Sequence, residues 1–137
     1  MQELALCAAT VVIIMTENSS ELAQYYIQCM LKKTGQNKGL TERLLKKLFI
    51  ELAKQIESLE QVLAENDMAQ AKAISHKIAG AVSFCGFVEI QLLAKALENI
   101  VVTQQRDPNS VEFVALKAKI TEFLGLETEI FQQLSQG

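Results

Sequence analysis

The chain has 137 residues, which is the size of one domain. Half of the residues are hydrophobic and 21% are charged, which excludes wholesale disorder, and one proline with six glycines is too few for a turn-rich β-sandwich or barrel. The net charge of −3 argues against DNA or RNA as the main partner, because nucleic-acid-binding domains present a basic surface.

Apolar residues recur with helical periodicity along nearly the whole chain. Residues 3–15 are apolar all round and are interpreted as a helix, although a short strand has a similar composition. A second helix is predicted over about 20–33, and the segment 35–39 (GQNKG) is a predicted loop. A long helix is then predicted from Thr41 to about Glu65. Its apolar stripe consists of Leu44, Leu48, Leu52, Ile56, Leu59 and Leu63.

The next two helices are delimited by residues that favour helix ends. Asp67 is suited to cap a helix over about 68–84, and Gly86 is suited to end it. A further helix is predicted over 88–105. Its predicted inward residues are Ile90, Leu93, Leu97, Ile100 and Val101.

The segment 107–110 (DPNS) is a predicted turn, and the last helix is expected over about 111–134 with a possible bend at Gly125. The expected fold is therefore all-α: an antiparallel four-helix bundle with one or two additional N-terminal helices. We expect residues 1–39 to form an N-terminal helical extension packed on a bundle of residues 40–137, the two together making one structural unit.

The three cysteines and the single histidine limit the chemistry. Cys7, Cys29 and Cys85 are odd in number and form no C-x-x-C pair, which is typical of buried thiols in a reducing compartment, so a cytoplasmic protein is expected. One histidine cannot build a Cys/His metal site at the usual spacings. The longest apolar run, residues 4–15, is too short to span a bilayer, and no basic segment precedes it, which argues against a secretory signal.

His76 is expected on the exposed face of its helix. On a helical wheel it falls about 170° from the centre of the predicted apolar stripe. That stripe consists of Ala71, Ile74, Ile78, Ala81, Val82 and Cys85. The residues that share the face of His76 are Ala69, Ala73, Ala79, Gly80 and Ser83. Exposed helix faces usually carry long polar side chains, so this face lacks the expected bulk around a nucleophilic imidazole, and another protein could bring an acyl phosphate to the ring.

The run 73–98 (AISHKIAGAVSFCGFVEIQLLAKALE) resembles the histidine phosphotransfer (HPt) domain, of the kind found in hybrid sensor kinases or as stand-alone phosphorelay proteins. Members of that family carry a phosphorylatable histidine, a glycine four residues later and a second glycine ten residues after the histidine. His76, Gly80 and Gly86 match those positions, and the resemblance covers roughly residues 40–134. The L-x-x-x-[LI]-[EQ]-like end of the family's next helix is matched by Leu93, Leu97 and Glu98.

The resemblance implies a phosphorelay intermediate without kinase or ATPase activity of its own. His76 would accept a phosphoryl group from the aspartyl phosphate of one receiver domain and pass it to another. The partners would be receiver domains of response regulators or hybrid sensor kinases, which would also supply Mg²⁺, so no cofactor of this chain is expected. Glu98 either orients the ring of His76 or is a solvated surface carboxylate.

Many family members carry a lysine three residues after the histidine, where this chain has Ala79. Lys72, one helical turn before His76, is the substitute favoured by helix geometry. Lys77 points about 100° away from His76, and Lys95 on the next helix is a third candidate.

Three other functions fit parts of the sequence. The phosphoacceptor helix of a sensor kinase usually has an acidic residue after the histidine and a proline five residues after it, where this chain has Lys77 and Ala81. An HPt-like adaptor that docks receivers or kinases without phosphotransfer is the main alternative, because the usual lysine is missing. An unrelated helical interaction protein is the third. Oligomeric state is left open.

Overall fold

A computed structural model describes residues 19–103 and 111–136. In those ranges it contains six helices and no strand, which confirms the all-α expectation. They are α1 (residues 19–33), α2 (Lys38–Ala64), α3 (Met68–Cys85), α4 (Val88–Thr103), α5 (Val111–Leu124) and α6 (Glu127–Ser135). The predicted helix over 3–15, the predicted turn at 107–110 and Cys7 lie outside the described residues.

Helix α3 has two neighbours in the bundle. It packs against α2 on one side and α4 on the other, and α5 contacts both α4 and α2. Short turns connect α2 to α3 and α3 to α4, so these consecutive helices run antiparallel.

The start and the end of α3 are fixed by the residues that directly flank the helix. The Asp67 carboxylate accepts a hydrogen bond from the Gln70 N–H at 3.2 Å and so caps the start of the helix. Gly86 ends it in the left-handed region at φ 80°, which favours glycine. The Phe87 N–H then returns to the Val82 carbonyl at 2.9 Å, as in a Schellman motif. Both ends were predicted correctly.

Helix α2 begins at Lys38, earlier than the predicted start at Thr41. The Asn37 side chain accepts a hydrogen bond from the Leu40 N–H at 3.0 Å, so it caps the helix within the predicted loop. Thr41 is instead fully buried, with its hydroxyl oxygen 2.8 Å from that of Thr34.

The buried faces of α2 and α4 are broader than the predicted stripes. Leu45 is fully buried whereas Leu44 is half-buried, and Ala94 is fully buried whereas Leu93 is half-buried. Phe49, which lies outside the predicted stripe, also belongs to the core. Each of these helices packs against more than one neighbour, so a single stripe does not describe the surface it buries.

The last predicted helix is two helices, α5 and α6. At the junction the Gly125 N–H donates to the Thr121 carbonyl, and the Leu126 N–H donates to the Phe123 carbonyl, both at 3.0 Å. Leu126 is buried in the core. The possible bend at Gly125 is therefore a complete break between helices.

Helix α1 is attached to the bundle by an aromatic cluster. The buried ring of Tyr26 makes edge contacts with Phe87 and Phe123, with centroid distances of 4.7 Å and 4.8 Å. Phe123 stacks on Phe49 at 4.5 Å. Burial raises the pKa of Tyr26 to about 12, so its phenol stays protonated at neutral pH. These contacts join α1 directly to α5 and to the turn between α3 and α4, and through Phe123 to α2.

Candidate functional site

His76 lies on the solvent-facing side of α3. Its side chain is 77% exposed, so the prediction that it points away from the core is confirmed. The buried residues of α3 are Ala71, Ser75, Ile78, Ala79, Val82 and Cys85. The centre of this face is turned by about 40° from the predicted stripe. His76 still lies far outside it.

Ala79 is not part of the exposed face on which the sequence placed it. It is buried in the core, whereas Ile74 is only half-buried. The reason is the close packing of α4 against α3, which covers the flank of α3 that contains Ala79. Gly80 is exposed as expected, and a Cβ atom added there would meet nothing within 4 Å.

A groove between α3 and α4 runs beside the imidazole. Its volume is about 430 Å³. The lining residues are His76, Ala79, Gly80 and Ser83 from α3 and Gln91, Lys95, Glu98, Asn99 and Val102 from α4. We call it the His76 groove. Lys72 and Lys77 are exposed on α3 but do not line it.

Glu98 holds the ring of His76 from the opposite helix. Its Oε2 and Oε1 atoms lie 2.9 Å and 3.3 Å from the ring Nδ1. An ionised carboxylate only accepts hydrogen bonds, so Nδ1 carries the proton and donates it. In the neutral ring Nε2 is then left with the lone pair. The geometry therefore orients the imidazole and makes Nε2 its nucleophilic atom.

Sequence reasoning missed three groove residues: Gln91, Asn99 and Val102. They share one face of α4 with Lys95 and Glu98, since each of the five lies three or four residues from another member of the set. The same helical wheel that was applied to α3 would have grouped them. It would not have shown that this face of α4 meets His76, because that depends on how the two helices pack.

Other candidate chemistry is not supported by the described residues. None of them forms a group of His, Cys, Asp or Glu side chains that could hold a metal ion. Cys85 is buried, and desolvation raises its pKa to about 11. Its thiol is therefore protonated at neutral pH, which fits the interpretation of Cys85 as a packing residue. No helix in the described ranges has the length and apolar character needed to cross a membrane.

The family model of the Hpt domain matches residues 43–135. The match covers more than half of the chain and includes α3, α4 and the whole His76 groove. The chain therefore belongs to the Hpt domain family, whose members take part in histidine phosphotransfer and interact with receiver domains. Neither the curated proteins nor the solved structures contain a significant match to it.

Proposed function

We propose that the chain is a phosphorelay intermediate in the cytoplasm. His76 accepts a phosphoryl group from the aspartyl phosphate of a receiver domain and passes it to the aspartate of another receiver. The observation that supports this most directly is the exposed imidazole whose Nδ1 is held by Glu98 at 2.9 Å. A solvated nucleophile with a fixed tautomer is what an acceptor needs when the donor arrives on another protein.

The transfer step uses both ring nitrogens. The lone pair of His76 Nε2 attacks phosphorus, the N–P bond forms, and the bond from phosphorus to the aspartyl oxygen breaks, which releases the aspartate carboxylate. The ring becomes positively charged because Nδ1 keeps its proton. The Glu98 carboxylate stabilises that developing charge. In the reverse direction the ring leaves phosphorus as a neutral imidazole.

The receiver brings the Mg²⁺ in this proposal. In the His76 groove, Glu98 is the one carboxylate among the lining residues, and it is already hydrogen-bonded to the ring. Mg²⁺ is usually bound by one or two carboxylates together with phosphate oxygens and waters. The groove therefore offers the ion no suitable ligand set of its own.

The second candidate function is an adaptor that docks receivers without accepting phosphate. It is favoured by the position of Ala79, which is buried, and by the absence of Lys72 and Lys77 from the groove lining. On this proposal α3 would present the same docking surface without the basic side chain that family members often carry beside the histidine.

Incubation with a panel of phosphorylated receiver domains separates the two functions. We expect the wild-type chain to acquire acid-labile, base-stable phosphate and His76→Gln to acquire none. Because His76 is exposed, the variant should keep the wild-type helical content by circular dichroism. Phosphate of the same stability on His76→Gln would refute the assignment of the acceptor. Receiver binding by a wild-type chain that acquires no phosphate would favour the adaptor.

A further inference from the structure

The basic side chain of the His76 groove comes from α4. Lys95 lines the groove together with His76, Gly80 and Glu98. It is exposed, and among the described residues its ammonium group forms no ion pair. A lysine beside a nucleophilic imidazole is therefore available to an anion that enters the groove.

The pairing of α3 with α4 brings this lysine close to the ring. Glu98 is level with His76, as their hydrogen bond shows. Because consecutive helices run antiparallel, Lys95, about one turn before Glu98, lies level with Gly80, about one turn after His76. The space beside Gly80 is open, so no side chain there separates the flexible stem of Lys95 from the ring.

In phosphorylated His76, the ring and the phosphoryl group carry opposite charges, so each is stabilised by a partner of a different sign. The ring carries positive charge, which Glu98 compensates at Nδ1. The phosphoryl oxygens carry negative charge, and a lysine ammonium is a common partner for such oxygens. Lys95 is the one lysine or arginine among the residues lining the groove.

We propose that Lys95 binds the phosphoryl oxygens on His76 Nε2 while Glu98 holds Nδ1. This inference rests on the proposed function and deepens it, since it names a residue that positions the transferred group. The contact exists only in the phosphorylated state and in the transition state leading to it. Lys95 therefore favours phosphorylation both kinetically and at equilibrium.

Phosphoramidate tests this without any receiver. His76 Nε2 attacks its phosphorus, the new N–P bond forms, and the original P–N bond breaks with release of ammonia. We expect Lys95→Met to lower the initial rate of His76 phosphorylation and the equilibrium constant for phosphohistidine formation by about tenfold each, the effect of losing one partly solvated charge-assisted hydrogen bond. Lys95→Arg should restore most of both, because it keeps the charge.

Matched controls are available on α3. Lys72→Met and Lys77→Met remove the same charge from exposed positions outside the groove lining. Both should stay within about twofold of wild type, because neither lysine lines the groove that would receive the phosphoryl group and interactions between separated surface charges are weak. Equal melting temperatures for all variants would exclude a structural effect of Lys95. If Lys72→Met were instead the variant phosphorylated most slowly, the lysine that binds the phosphoryl oxygens would be Lys72, as helix geometry alone predicted.

The outcomes separate this inference from the proposed function. A wild-type chain that is phosphorylated at His76, with Lys95→Met equal to it, overturns only the assignment of Lys95. A wild-type chain that acquires no phosphate from phosphoramidate or from any receiver overturns the proposed function, and the role of Lys95 with it.

Discussion

At the scale of single residues, His76 and its hydrogen-bond partner Glu98 differ in exposure. The His76 side chain is 77% exposed, whereas that of Glu98 is 23% exposed. Water and salt therefore reach the imidazole more easily than they reach the carboxylate. A partly buried carboxylate is less screened than one on an open surface, so Glu98 is well placed to act on the ring in the proposed transfer.

Gly80 tests whether the space beside His76 matters for transfer. We expect Gly80→Glu to slow phosphoryl transfer from a receiver by about tenfold or more, because small displacements of reacting atoms cost large factors in rate. Gly80→Ala adds a methyl group to open space and should have little effect. Gly80→Gln has the bulk of glutamate without its charge. Wild-type transfer by both Gly80→Gln and Gly80→Glu would show that open space is unnecessary.

The sequence predicted the exposure of His76 but not the burial of Ala79. A helical wheel locates apolar residues, and it showed His76 nearly opposite the predicted stripe. It does not show which flank of the helix a neighbour will cover. Ala79 is small enough to lie in the core or at the surface, so packing of α4 decided its position. For the same reason, the sequence left the contact of Glu98 open.

At the scale of helices, end signals that depend on adjacent residues were predictable. Asp67 caps the start of α3 with its own side chain, and Gly86 ends the helix through its own backbone conformation. Each signal depends on the residue type at one position, so it can be recognised in the sequence. Asn37 was missed because it lies in a polar segment with two glycines, where several residues are suited to a turn. The resulting error concerned only the start of α2.

Alanine at two glycines should change stability in opposite directions. Gly86→Ala should lower the free energy of unfolding by about 1–2 kcal/mol, because the left-handed conformation is strained with a side chain. The added Cβ would make only an ordinary van der Waals contact with the Lys33 Cε atom, at 3.4 Å, so the expected loss comes from the backbone conformation. Gly80→Ala should raise stability by about 0.5–1 kcal/mol, because it lies inside a helix with open space around it.

Urea denaturation of both glycine variants measures these changes. An unchanged slope with a shifted midpoint would show that stability itself has moved. Equal midpoints for Gly86→Ala and wild type would mean that the turn between α3 and α4 adjusts without strain.

At the scale of the whole molecule, α1 is joined to the bundle through residues remote in sequence. Tyr26, Phe49, Phe87 and Phe123 meet in one aromatic cluster. Periodicity in the sequence does not identify contacts between distant helices. The prediction that residues 1–39 and 40–137 form one structural unit therefore needs an unfolding experiment.

Tyr26→Ala provides that experiment. Removal of a buried aromatic ring should lower the free energy of unfolding by about 3–5 kcal/mol. If α1 and the bundle are one unit, near-ultraviolet and far-ultraviolet circular dichroism should follow a single transition. Tyr25→Ala is the control, because the Tyr25 side chain is half-exposed. Loss of the α1 signal before the rest would show that the extension folds separately.

The left-handed turn at Gly86 has a consequence for how such a site can evolve. His76, Lys95 and Glu98 all belong to the hairpin of two helices that this turn joins. A slip of one residue between those helices would rotate the carboxylate by about 100° away from the imidazole. An insertion in this connection that shifted α4 by one residue against α3 would therefore separate Glu98 from His76 while leaving both residues in the chain.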